Sequence, residues 1–183
     1  RVHKMRASVD AIMVGINTVL VDDPSLKVKY CNGKNPIRIV LDSKAKTPIT
    51  SRIISDKDAP TFVAVTKKAP VDRVNRLKEA GAKIIVCGEG EKVDLAILLK
   101  TLKNMGVKKV LVEGGGNINW SIVSQGLFDE LQVTIGPFIV GGKDAITLVE
   151  GDGVERMDDG VKVKLHKVEQ QGDEVVLIYK ALR

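Results

Sequence analysis

A run of three glycines behind a short aliphatic stretch constrains this chain more than any other feature. In KKVLVEGGGNIN, residues 108–119, Val110, Leu111 and Val112 form an apolar run of the buried parallel-strand kind. Glu113 closes the run, Gly114, Gly115 and Gly116 follow, and residues 118–127 read as a helix. A strand, a glycine turn and a helix start make a backbone cradle. Peptide N–H groups at a helix N-terminus, together with the helix dipole, favour an anion. Glycine lets a phosphate come close because no β-carbon stands in the way. Glu113 falls at the carboxyl edge of the sheet, where open α/β folds hold ligands. A turn that needs glycine only for its backbone would account for one or two of the three. The triplet behind an acidic strand end favours binding, and by itself it names no ligand.

The segments on either side predict an α/β order. Residues 1–8 read as the tail of a helix, and residues 10–15 (DAIMVG) as a buried strand ending in glycine. Asp22, Asp23 and Pro24 mark a turn. Adjacent carboxylates seldom converge on one ion and no further acid lies near, so this pair does not predict a metal site. Strands are predicted over 37–41 (IRIVL), 61–66 (TFVAVT) and 83–87, and helices over 71–80 and 94–105. Gly81 suits a helix C-cap and Asp94 an N-cap. Ser43 and Lys44 follow the IRIVLD strand, where a hydroxyl and an ammonium can hold a phosphate; a plain surface turn explains them equally well. Gly88-Glu89-Gly90 lacks the third glycine of a dinucleotide fingerprint. Residues 129–135 predict a strand, 145–159 a loop, and 161–168 with 174–180 a β-hairpin about Gly172. His166 falls on the polar side of that hairpin's alternation. The expected fold is a three-layer α/β/α domain with a mixed sheet and a terminal antiparallel hairpin.

Composition narrows the function classes. The 183 residues are 44% hydrophobic but only 3% aromatic, which predicts one domain with an aliphatic core. No apolar run approaches the roughly 20 residues of a membrane span. Cys31 and Cys87 form no spaced motif, which fits a reducing, cytoplasmic setting. Two distant histidines do not suggest a metal site. The net charge of +6 is scattered among acids, with no basic stripe interleaved with aromatics. It therefore suits a small phosphorylated ligand better than a nucleic acid.

Several motifs occur in a fixed order: MRAS, DAIMVGINTVLVDDPSL, PIRIVLDS, LVEGGGNINWSIVSQGLFDEL and IGPFIVGG. Together they resemble the riboflavin-pathway reductases, from about Met5 to Gly142 and more loosely into the hairpin. That family includes the reductase half of a bacterial bifunctional deaminase/reductase and free-standing archaeal and fungal enzymes. The resemblance implies a dihydrofolate-reductase-like fold and a homodimer. It also implies an NADPH-dependent reduction of a ribosylamino group, as its ring-opened imine, to ribitylamino on a pyrimidinone 5′-phosphate.

The family pattern puts Thr18, Asp22, Ser43, Gly115, Gly116 and Asn117 at the cofactor. Lys44 is added here as a partner for the adenosine 2′-phosphate. Arg6 matches a residue that holds the substrate phosphate, and Leu26 and Glu113 match substrate contacts. Lys29 stands where the bacterial pattern has arginine, keeping the charge and losing the bidentate fork. No residue is matched to a catalytic proton donor; Asp22 and Glu113 qualify by chemistry. The family's first strand and a substrate-side loop precede the helix that ends at Arg6, so residues 1–183 are expected to be one reductase domain without its N-terminal strand and loop. Rival readings are dihydrofolate reductase itself, whose early acid and tryptophan are not visible, and a non-catalytic nucleotide-binding module, which would not need Arg6 and Glu113. A nucleic-acid-binding protein is suggested by charge alone.

Overall fold

A computed structural model describes residues 1–143 and 145–182. The chain divides into two compact units, Arg1–Gly115 and Gly116–Arg183. The division falls within the glycine turn.

The first unit is built on a five-stranded parallel sheet. Its strands are β1 (Ala11–Gly15), β2 (Ile37–Leu41), β3 (Thr61–Val65), β4 (Lys83–Val86) and β5 (Val110–Val112). Their order is β4-β3-β2-β1-β5. The inner strands are near-continuous aliphatic runs because a parallel sheet is covered on both faces. Every residue of β1 and β3 is buried. Ile12, Val14, Val40 and Val63 meet Val19, Ile53 and Leu77 in the core. The VLV run of β5 is half-buried rather than buried, because among the described residues it is an edge strand that pairs with β1 alone.

The helices are α1 (Val2–Ala7), α2 (Ile16–Asp22), α3 (Arg52–Ser55), α4 (Val71–Glu79) and α5 (Leu95–Asn104). Asp94 caps α5 as its sequence position predicts, its carboxylate accepting from Ile97 N at 2.9 Å. Leu95, Leu98 and Leu102 form the buried stripe. Gly81 takes the left-handed φ of +92° just beyond α4. Two helices, α2 and α3, have no sequence counterpart in the reading above. Isolated segments this short are not stable helices, so packing rather than propensity forms them.

In the second unit, α6 (Gly116–Ser124) begins two residues before the predicted helix, the last glycine forming its first turn. Strands β6 (Glu130–Ile135), β7 (Val163–Gln171) and β8 (Glu174–Ala181) form an antiparallel sheet in the order β6-β8-β7. The hairpin is therefore β7 and β8, with β8 in the centre. A register shift between Leu165 and Lys167 sets His166 at a bulge. Residues 145–159 are loop apart from a 3-10 turn, Met157–Asp159. Thus parallel strands, helices and an antiparallel hairpin are all present, the antiparallel strands as a sheet of their own.

Candidate functional site

The strand order locates the site. From β1 the chain adds β2, β3 and β4 on one side, then returns to place β5 on the other. Open α/β sheets hold ligands outside the carboxyl ends of the strands at such a reversal. The carboxyl end of β1 leads into α2, and that of β5 into Glu113 and the glycines. The two ends are tied together: Glu113 N donates to Met13 O at 3.0 Å and Gly15 N to Gly114 O at 3.0 Å.

Glu113 is held by Arg6 of α1. Arg6 Nε donates to Glu113 Oε1 at 2.8 Å and Nη2 to Oε2 at 2.6 Å. This is the paired fork that makes arginine–carboxylate contacts strong. Arg6 Nη1 donates to Lys27 O at 3.1 Å, so three of the five N–H groups are engaged. Lys27 is itself anchored: its ammonium reaches Asp56 and, at 2.5 Å, Asp58. The hydrogen bonds that its ammonium donates to Asp56 and then Asp58 hold Lys27 above its ordinary pKa, and Lys27 holds Asp56 below its own. Leu26 is buried in the left-handed region, φ +52°, and turns the chain so that the Lys27 carbonyl meets Arg6. Lys29 is exposed; its backbone N–H lies 3.2 Å from His3 Nδ1. The same Nδ1 is 3.0 Å from Lys27 O, so it serves one or the other according to the tautomer of the ring.

Thr18 and Gly115 are neighbours: a β-carbon on Gly115 would stand 3.7 Å from Thr18 Oγ1, with nothing nearer. The positive φ of this turn belongs to Gly114, at +92°, not to Gly115. Asp22 is exposed at the end of α2. In the second unit, Gly116 is buried against the Glu150 side chain, whose Oε2 accepts from Asn117 Nδ2 at 2.8 Å. An anion therefore does lie beside the start of α6, supplied by the chain itself.

Ser43 and Lys44 follow β2, beyond the next strand end along the same edge. Ser43 Oγ accepts from Val93 N at 3.1 Å. Lys44 Nζ lies 3.3 Å from Glu91 Oε2, and Lys68, just past β3, lies 2.6 Å from Glu91 Oε1.

The structure brings some of the predicted residues of the first unit together, Thr18 beside Gly115 and two further groups, while Asp22 and the Lys29 side chain stand exposed apart from them. Arg6, Leu26 and Glu113 converge near the ends of β1 and β5, and Ser43 with Lys44 lies at the ends of β2 to β4. Sequence reasoning missed Lys27, Asp56, Lys68, Glu91 and Glu150. Only Lys68 carried a usable signal, a KK pair directly after the TFVAVT run. A cavity of about 280 Å³ lies at the opposite, amino edge of the sheet, beside Arg38, Asp58 and Ala82. It contains none of the predicted residues. Arg38, fully buried there, donates through Nη2 to Asp56 O and Ala59 O.

The sequence pattern of the RibD C-terminal domain matches residues 1–177. The chain is 44% identical over 182 residues to the 2,5-diamino-6-ribosylamino-4(3H)-pyrimidinone 5′-phosphate reductase of Methanothermobacter thermautotrophicus, covering 98% of this chain and 83% of that protein. It is 41% identical over 174 residues to the Aquifex aeolicus protein of the same name, covering 95% and 77%. Among solved structures, RibD of Acinetobacter baumannii matches with a TM-score of 0.82 at 25% identity, over 98% of this chain and 49% of that one. The chain thus spans about half of that larger protein. A Saccharomyces riboflavin biosynthesis reductase matches with a TM-score of 0.74 at 27% identity, over 97% and 78%.

Proposed function

The chain belongs to the RibD C-terminal domain family, and from that membership we infer the reaction its residues serve. It is an oxidoreductase of riboflavin biosynthesis that reduces the ribosylamino side chain of a pyrimidinone 5′-phosphate to ribitylamino. A bound nicotinamide cofactor would supply a hydride to the anomeric carbon of the ring-opened imine, with a proton going to the imine nitrogen. The cofactor in our reading is NADPH, and the substrate is the 2,5-diamino pyrimidine named for the free-standing relatives.

The observation that carries this reading is the Arg6–Glu113 pair at the carboxyl end of β5. Glu113 and the Lys27 carbonyl fix the plane of the guanidinium, leaving two N–H groups to donate to a substrate phosphate. Lys29 is read as a further substrate contact; the Leu26 side chain is buried in the core, so only its backbone is left for that role. The remaining predicted residues of the first unit are read as the seat of a phosphorylated dinucleotide. A β-carbon on Gly115 would meet only Thr18 Oγ1, at an ordinary contact distance of 3.7 Å, and two ammonium groups at Lys44 and Lys68 already converge on a carboxylate. Thr18, Asp22, Ser43, Lys44 and Gly115 would hold it from the first unit; Gly116 and Asn117 of the second unit already have the Glu150 carboxylate against them. Asp22 is exposed, and both Glu113 oxygens accept from Arg6, so the proton is assigned to neither.

We read the two units as parts of one reductase domain acting as a cytoplasmic homodimer. Support for the dimer comes from the antiparallel sheet. Leu131 pairs with Tyr179, Val133 with Leu177 and Ile135 with Val175, while Leu165 and Val168 stand opposite Tyr179 and Leu177 on β7. Directly opposed residues share a face, so these side chains make one apolar face. Ile135, Leu165 and Val168 on it are about half exposed, whereas Val176 and Ile178 on the other face are buried. A second copy would cover the open face in a closed two-fold pair.

The reading is tested by following nicotinamide absorbance with purified protein, the diamino or the deaminated ribosylamino-pyrimidine phosphate, and either NADPH or NADH. Oxidation with the diamino substrate and NADPH is expected. No oxidation with either substrate would sink the reading.

A further inference from the structure

Three loops leave the carboxyl ends of β2, β3 and β4, which are adjacent in the sheet. They are laced together by main-chain and hydroxyl contacts. Thr66 N donates to Ser43 O at 3.2 Å, Lys67 N to Gly88 O at 3.0 Å, and Val93 N to Ser43 Oγ at 3.1 Å. This lacing brings Lys44, Lys68 and Glu91 to one spot, although they come from three different loops. The two oxygens of Glu91 are taken by two different lysines, Oε1 by Lys68 at 2.6 Å and Oε2 by Lys44 at 3.3 Å. Lys67 makes a separate pair with Glu89.

An anion with oxygens on two sides, bridging two ammonium groups, is the arrangement a phosphomonoester adopts at such a clamp. Hydrogen bonds first from Lys68 and then from Lys44 hold the Glu91 carboxyl below its ordinary pKa, so it is charged at neutral pH. The Glu91 side chain is 62% exposed, and the two lysine side chains are 53% exposed. Pairs this exposed are weak and easily exchanged for a stronger partner. A phosphomonoester carries nearly twice the charge of a carboxylate at this pH.

We propose that Lys44 and Lys68 seat the 2′-phosphate of an adenine dinucleotide, and that Glu91 fills that seat as an internal competitor which the phosphate displaces. The proposal rests on the reductase reading above and adds two residues to it. Lys68 is the second cation of the seat. Glu91 lowers affinity for the phosphorylated dinucleotide while leaving the unphosphorylated one alone, so it sets how strongly the enzyme distinguishes NADPH from NADH.

Equilibrium binding of each dinucleotide, read by nicotinamide fluorescence on the full chain without substrate, tests this. Glu91→Gln is expected to tighten NADPH by about two- to fivefold, the range of an exposed ion pair, with NADH unchanged. Lys68→Ala is expected to weaken NADPH about fivefold or more, again with NADH unchanged. Both side chains are largely exposed, so the variants should melt with the parent, and Glu91→Ala is read alongside to repeat the first result. Glu91 variants that leave NADPH affinity unchanged, weaken it, or shift both dinucleotides equally would overturn the competitor while leaving the reductase reading intact. A parent protein that binds neither dinucleotide would overturn both.

Discussion

Arg6 and Glu113, 107 residues apart in the chain, grip each other through two hydrogen bonds of 2.8 and 2.6 Å, with only 15% and 20% of their side chains exposed. Both are matched to substrate contacts by the family pattern, and here each is the other's partner. The pair joins α1 to the end of β5 and aims what remains of the guanidinium. Arg6→Ala is therefore expected to raise the Michaelis constant for the phosphorylated substrate by about one to two decades. Arg6→Lys should recover little of this, because an ammonium cannot reproduce the fork. Steady-state kinetics on the phosphorylated substrate and a dephosphorylated analogue check it. An equal loss on both would remove Arg6 as the phosphate anchor.

The glycine turn separates a structural glycine from a binding one. Gly114 is buried with a φ of +92°, and its carbonyl accepts from Gly15 N. Gly114→Ala should cost stability, roughly 1–2 kcal/mol for the left-handed backbone alone. Gly115 has no such φ, and the nearest atom to an added β-carbon is 3.7 Å away. Gly115→Val should melt close to the parent and lose nicotinamide cofactor binding. Thermal melts paired with cofactor titration distinguish the two, and a folded Gly115→Val with unchanged affinity would make that glycine ordinary.

The cysteines should differ in reactivity. Cys87 is fully buried, and burial followed by the nearby Asp94 charge pushes its thiol up to about 11. Cys31 is partly exposed. In native protein at pH 8 a thiol reagent should label Cys31 alone, with Cys87 reacting only in denaturant. Mass spectrometry of the labelled peptides reads the outcome, and rapid native labelling of Cys87 would contradict it.

Acid should destabilise the fold gradually. Asp10 accepts from Lys108 N and Lys109 N at 2.8 Å each, and these bonds hold its carboxyl below the ordinary value. Lys27 does the same for Asp56, and Lys180 with Gln132 for Glu130. A carboxylate with a lowered folded pKa binds its proton more readily when unfolded. Its contribution is therefore present above the ordinary carboxylate range, about pH 4, and is lost as pH falls through the lowered value. The urea midpoint should hold from pH 7 to about 5 and drop below 4. Asp10→Asn should narrow the gap between midpoints at pH 3 and pH 7; an unchanged gap would mean that Asp10 contributes nothing to it.

Much of this protein is local enough to read from the chain. The IRIVL strand lies at the predicted residues 37–41, Asp94 caps its helix, Gly81 closes another, and Gly172 turns the hairpin. In each, the cause is a side-chain period or a backbone preference acting over a few residues. The glycine triplet and the acid before it were visible for the same reason. What the chain did not disclose was pairing. Nothing near Arg6 names Glu113, nothing near Lys68 names Glu91, and the short helices α2 and α3 form only because Val19 and Ile53 have a core to enter. Those choices depend on which strand ends become neighbours. Strand order is set by burying aliphatic faces across long separations, whereas each ion pair is worth too little to select its own partner until packing has brought the two charges together.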